Sequence, residues 1–119
     1  MNKLTVSNML KELGISPALL GYRYIFYAVE LIHNNTSYMY KITKKLYPAI
    51  AEKFNTTTAR VERAIRHAIE TSWNKGSINL QKKLFGYTIS CDKGSPTNAE
   101  FIVTLADYIN MLEGEQNAQ

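Results

Sequence analysis

At 119 residues the chain is one domain's worth of protein, long enough to bury a hydrophobic core without disulfide or metal staples. A 45% hydrophobic fraction argues against a disordered chain, and the single cysteine, Cys91, cannot form an internal disulfide and suits a reducing, cytoplasmic compartment. No apolar run approaches the roughly 18 residues of a membrane span, and Lys3, Lys11 and Glu12 break up the first twenty residues, so no secretory signal is read.

In chain order, Thr5 to Leu13 reads as a short helix with Gly14 as its C-terminal cap. Ser16-Pro17 is a helix-start signal, serine as N-cap and proline in the first turn, and predicts a helix running to about His33 that stops at Asn34-Asn35. Gly21 inside it costs about 1 kcal/mol relative to alanine, which close packing against a neighbour would explain. A further helical stretch begins near Ser37. Pro48 interrupts it, predicting either a kink or a fresh helix at about Tyr47. Thr58 to Lys75 follows as a long helix closed by Gly76, then Ile78 to Phe85 closed by Gly86. Tyr87 to Ser90 alternates and reads as briefly extended, and Asp92 to Pro96 as a loop. Thr97 and Glu100 form a T-x-x-E capping box ahead of Phe101, Ile102, Leu105, Ile109 and Leu112 at helical spacing, with Glu113 to Gln119 expected to fray. The expected fold class is all-α, about six helices built around a helix–turn–helix, winged-helix-like but without a clear wing. The three N-x-S/T triplets, at Asn34, Asn35 and Asn55, read as chance in a chain without an export signal.

The net charge of +4 is unevenly spread. From Ser37 to Gly76 there are eight Lys or Arg against three Glu, while from Ser95 onward there are four acids and no Lys or Arg. A basic centre with a neutral-to-acidic periphery points to a polyanion met by one face, although for charge alone a solvated basic surface is the commoner explanation. The centre also holds a structural pattern. In Tyr47 to Arg66, Ile50, Phe54, Val61 and Ala64 occupy helix–turn–helix packing positions, and Ala51 supplies the small residue where two helices approach. Asn55 sits where positive φ is wanted, and Thr56-Thr57-Thr58 offers oxygens to cap the second helix. The unit is expected over about residues 47–75.

The second helix carries an apolar stripe, Val61, Ala64, Ile65, Ala68, Ile69, Ser72 and Trp73, with Arg60, Arg63, Arg66 and His67 opposite. Arginine's planar fork matches guanine O6 and N7, and Glu62 suits a cytosine amino group, though the wheel sets it away from the arginines. Arg60, Glu62 and Arg63 are therefore the candidate base readers; Arg66, His67 and Thr58 are candidates for base or phosphate. Lys41, Lys44, Lys45 and Lys53 are candidates for the phosphate contacts that set register. The plain alternative is a solvated face with Glu62–Arg66 and Arg63–His67 as ordinary i,i+4 neighbours. Trp73, Tyr22, Tyr24 and Tyr27 are expected in the core.

The run LYPAIAEKFNTTTARVERAIRHAIE, with Trp73, Gly76, the LFGY of Leu84 to Tyr87 and the PTNAEFI of Pro96 to Ile102, closely resembles one family. It is the C-terminal effector domain of the master sporulation response regulators of endospore-forming bacteria. The resemblance spans Leu10 to about Leu112, and Thr58 to Glu70 is its most characteristic block. It implies an all-α fold around a helix–turn–helix, and a transcription activator and repressor that binds TGNCGAA-type boxes, often as tandem copies on DNA. It implies that Arg60, Glu62 and Arg63 make or support base contacts, with Arg66 and His67 along the same surface. It also implies contact with the housekeeping sigma subunit of RNA polymerase; the acidic final helix is one candidate surface, and a solvated face is its plainer reading. Complete members carry a phosphorylated N-terminal receiver as part of a phosphorelay. No receiver pattern is read in this chain, so residues 1–119 are expected to be the effector domain alone, with Met1 to Thr5 in the linker.

Two other classes compete with this reading. His33, His67 and Cys91 lack metal-ligand spacing, and no nucleophile elbow, phosphate loop or paired carboxylates are read, so no enzyme, metal, cofactor or small-molecule substrate is expected. A helical protein-interaction module or a non-specific nucleic-acid (or RNA) binder is the second, and would be favoured by binding insensitive to base identity.

Overall fold

Asn2 opens the first helix by accepting a hydrogen bond from the Thr5 amide (3.2 Å), and α1 runs Lys3–Glu12. Gly14 ends it at φ +95°: its amide donates to the Lys11 carbonyl and that of Ile15 to Leu10. This is a Schellman closure, sealed by the buried Leu10 and Ile15. The computed structural model describes residues 1–86 and 94–117. The extended reading of Tyr87 to Ser90, Cys91 and the first part of the Asp92–Pro96 loop lie outside the described residues.

α2, Leu20–Asn34, begins later than Ser16-Pro17 predicts. Ser16 does cap, its Oγ accepting from the Ala18 amide at 3.1 Å, but the turn it opens closes after one bond, Leu19 to Ser16. Leu19 is then extended (φ −86°, ψ 140°). The restart seats Gly21 directly on the helix that carries Ala64 and Ala68: a Cβ there would overlap the Ala64 carbonyl and the Ala68 methyl. The close approach expected at Gly21 is thus present.

Thr36–Tyr40 is a 3₁₀ turn, and Ile42–Leu46 is a π turn feeding into α3, Tyr47–Lys53. A fresh helix at Tyr47 is therefore the outcome at Pro48. The wide turn, in which Leu46 donates to the Lys41 carbonyl (3.0 Å), brings proline into the first turn of α3, where a missing donor leaves no gap. α4, Thr58–Ser72, continues as a 3₁₀ turn over Trp73–Lys75, so the predicted end at Lys75 holds in a tighter form. α5 is Ile78–Phe85 and α6 is Asn98–Asn117. The capping box forms as read: Glu100 N–H to Thr97 Oγ1 (3.2 Å) and Thr97 N–H to Glu100 Oε1 (3.1 Å). The fraying expected from Glu113 is corrected as far as Asn117, where the helix ends: Glu113 Oε1 accepts from the Asn2 amide at 2.7 Å and its other oxygen lies 3.5 Å from His33 Nδ1, while residues 118–119 of that expectation lie outside the described residues. Residues from opposite ends of the chain tie that helix down.

All regular structure among the described residues is helical. The core is built on α2, whose Ile25, Ala28, Val29 and Ile32 are buried between α4 on one side and α6 on the other. Phe101 of α6 stacks on Phe85 of α5 (5.5 Å between centroids), and Trp73 meets both edge-on at 6.4 and 5.4 Å. Trp73 and Tyr24 are core residues as expected, and Tyr22 and Tyr27 pack partly buried against them.

Candidate nucleic-acid interface

Phe54 to Thr57 link α3 to α4. Asn55 takes φ +52°, the one positive-φ residue other than glycine among the described residues, and asparagine tolerates it through its short polar side chain. The Thr56 amide returns to the Ala51 carbonyl (2.9 Å), and Thr57 Oγ1 caps α4 by accepting from the Arg60 amide (3.2 Å). Of the threonine run, then, Thr57 is the cap and Thr58 the exposed first residue of the helix. Ile50, Ala51 and Val61 are buried between the two helices, with Phe54 and Ala64 half-buried beside them. This is the helix–turn–helix unit the spacing predicts.

α4 is held by its stripe. Val61, Ile65, Ala68 and Ile69 are essentially sealed from solvent, and a fully buried branched side chain contributes about 1.5–3 kcal/mol. A surface i,i+4 pair contributes about 0.3–0.5 kcal/mol, so burial decides which face of α4 points outward. That face carries Arg60, Arg63, Arg66 and His67, all exposed.

One relation on it differs from the wheel. Glu62 is not apart from the arginines: its Oε1 lies 2.8 Å from Arg66 Nη1, with both side chains about half exposed. Arg66 is one turn on, the i,i+4 neighbour of Glu62, so the pairing named above as the plain alternative forms here. The other i,i+4 pair, Arg63–His67, does not form a hydrogen bond, and Arg60, Arg63 and His67 have no ion pair among the described residues. Arg60 and Arg63 are the cations left available at the helix surface, with the His67 imidazole exposed beside them.

The four lysines fall into two groups. Lys41 and Lys44 are exposed along a groove at the π turn, and Thr43 lines both that groove and the one formed by Tyr47, Glu62, Arg66 and Asn98. They therefore adjoin the Glu62–Arg66 flank. Lys45 is turned inward, its Nζ donating to Ser37 Oγ (3.0 Å) and lying 4.6 Å from the centre of the Tyr38 ring. Lys53 sits at the helix–turn–helix turn, its ammonium 5.7 Å from the Tyr27 ring centre.

Two residues here have no counterpart in the sequence reading. Arg23 is exposed, with its guanidinium 5.5 Å over Phe54, so Arg23 and Lys53 flank the Phe54–Tyr27 pair at the turn. A lone arginine among the aromatics of α2 is its only sequence signal. Asn98 donates from Nδ2 to the Tyr47 hydroxyl (3.2 Å) and to the Glu62 carbonyl (3.0 Å); the sequence shows it only as a residue inside a capping box. Burial pushes the Tyr47 phenol above its ordinary value, with the Asn98 hydrogen bond acting the other way.

Among the described residues no group of three His, Cys, Asp or Glu stands close enough to hold a metal, and no helix is long and apolar enough to cross a membrane. Residues 6–109 match the family described as Sporulation initiation factor Spo0A C terminal; the helical fold agrees, and the chain belongs to that family, a DNA-binding transcription-factor domain rather than an enzyme.

Proposed function

We propose that this domain reads TGNCGAA-type boxes by placing the N-terminal half of α4 in the major groove. Arg60, Glu62 and Arg63 form the base-reading edge. Thr58, Arg66 and His67 lie alongside, on base or phosphate, and Lys41, Lys44, Lys45 and Lys53 serve the phosphates. The observation that carries the reading is the state of α4: one face is locked into the core while Arg60 and Arg63 stand exposed and without ion pairs among the described residues. Guanidinium groups so disposed suit guanine O6 and N7, and the G·C pairs of the box supply them. The lysines differ in readiness, since Lys45 and Lys53 rest over aromatic rings whereas Lys41 and Lys44 do not.

On the family resemblance we extend the reading to transcription activation and repression as the cytoplasmic output domain of a phosphorelay response regulator. Tandem copies on DNA and contact with an RNA polymerase sigma subunit belong to the same proposal.

The test is duplex binding at fixed salt, with a TGNCGAA site and a scrambled one. Arg63→Ala should cost about 1–3 kcal/mol on the specific site and far less on the scrambled one. Lys44→Ala should weaken both alike and lower the salt slope by about 1. Equal affinity of the unmodified domain for both duplexes would overturn the specific-reader proposal and favour a non-specific binder.

A further inference from the structure

Three helices meet at one side chain. Asn98, the first residue of α6, reaches the Tyr47 hydroxyl of α3 and the main-chain carbonyl of Glu62 on α4. A carbonyl can only accept, so the Asn98 amide must turn its NH2 toward Glu62, with one N–H for each partner. Asn98 itself is held from behind. The Thr97–Glu100 box closes the turn around it, and Phe101 and Ile102 next in the chain are fully buried, Phe101 against Phe85 and Trp73. Tyr47 is only 7% exposed, so its ring is fixed as well.

The buried stripe holds α4 to the core through non-directional apolar burial. The Asn98 bonds add direction: one takes the α4 main chain at Glu62, and the other ties the same amide to Tyr47 of α3. The Glu62 carbonyl belongs to the peptide that continues into Arg63, in the middle of the reading edge. Groups that must meet base edges need to be held to about 0.5 Å and 10–20° by neighbours that are themselves locked. We propose that Asn98 is a positioning residue for DNA reading: from α6 it sets how α3 and α4 cross, and hence how Arg60, Glu62 and Arg63 are presented, while touching no base. The inference rests on those three residues being the reading edge.

The experiment uses the full chain carrying Asn98→Ala, with the specific and scrambled duplexes, alongside ¹H–¹⁵N spectra of the free protein. The expected result is a specific-to-scrambled ratio lower by about five- to tenfold, the scale of one or two lost hydrogen bonds, with scrambled affinity and salt slope unchanged. The Arg63 amide resonance should move, because its peptide carbonyl has lost a partner. Tyr47→Phe, which leaves the Glu62 bond in place, should lower the ratio less. An unchanged ratio in a folded Asn98→Ala variant, or a parallel loss on both duplexes, overturns the proposal. Failure of the unmodified chain to discriminate the duplexes sinks the reading edge and this proposal's functional claim with it; a still Arg63 amide sinks the clamp by itself. Should Asn98→Ala not fold, Asn98→Asp keeps the shape, sets a carboxylate against the Glu62 carbonyl, and is judged by the same two measurements.

Discussion

Replacing Glu62 with alanine separates base reading from charge. The Glu62–Arg66 pair is short (2.8 Å) but about half exposed on both sides, so it contributes about 0.3–0.5 kcal/mol to folding, as exposed i,i+4 pairs do. For a domain of this size that is a fall of roughly 1–2 °C in Tm. Binding should respond far more, and in two directions. On a scrambled duplex the substitution removes an acid from the surface and releases Arg66, so affinity should rise; one added phosphate contact steepens the slope of log K against log salt by about 0.9. On the specific duplex the acceptor for a base is gone, which is worth about 1–3 kcal/mol of discrimination, or about 5- to 150-fold. Glu62→Gln is the control: it frees Arg66 equally but keeps a carbonyl acceptor, so its salt slope should follow the alanine variant while discrimination is partly retained. Anisotropy titrations of both duplexes across a salt series, with a thermal melt, measure all of this. Affinities that shift in parallel on the two duplexes would refute base reading by Glu62 and leave it only as the partner of Arg66.

Gly21→Ala forces a methyl into the Ala64 carbonyl and Ala68 methyl, and overpacking of this kind costs about 1–3 kcal/mol; an unmoved Tm would show that α2 is not seated on α4 as described. Arg23→Ala should weaken specific and scrambled duplexes alike and lower the salt slope by about 1 if Arg23 joins Lys53 as a phosphate contact; an unchanged slope excludes it. Tyr47, whose phenol is raised in the fold by burial, favours the folded state while it stays protonated. Its contribution is complete below the ordinary phenol value of 10.0 and is lost as pH rises through the higher folded value. Alkaline melts of the unmodified chain should therefore fall more steeply above about pH 10 than those of Tyr47→Phe, and coincident pH profiles would refute that account.

Where one residue answers one conformational demand, the fold was legible in the sequence. Gly14 ends α1, Asn55 turns α3 into α4, and Thr97 with Glu100 opens α6, each by a requirement its immediate neighbours pose. Ser16-Pro17 misled because a cap announces a turn and not its length. The helix that restarts four residues on seats Gly21 on α4, a contact more than forty positions away that the local signal does not contain. The end of α6 misled for the same reason, since Glu113 is anchored by Asn2 and His33, and a polar tail read locally has nothing to hold it.

The interface divides along the same line. Period 3.6 revealed which face of α4 is buried, because each apolar residue reports its own position. Whether a cation on the other face is available depends on what stands beside it. Arg66 has an acid one turn back, a neighbour legible at i,i+4, and Arg63 does not; that the Glu62–Arg66 pair closes is what the structure adds. Lys44 and Lys45 are adjacent in sequence; Lys45 is drawn to Ser37 and the Tyr38 ring because the 3₁₀ turn packs against the π turn, and Lys44 stays exposed. Asn98 is the extreme case. Its helix-forming neighbours say only that a helix begins, while its NH2 bonds to helices thirty-six and fifty-one residues earlier. The charge proposed to meet DNA can thus be counted along the chain, but the groups proposed to orient it are placed by tertiary contact, and substitutions among them should alter specificity without altering charge.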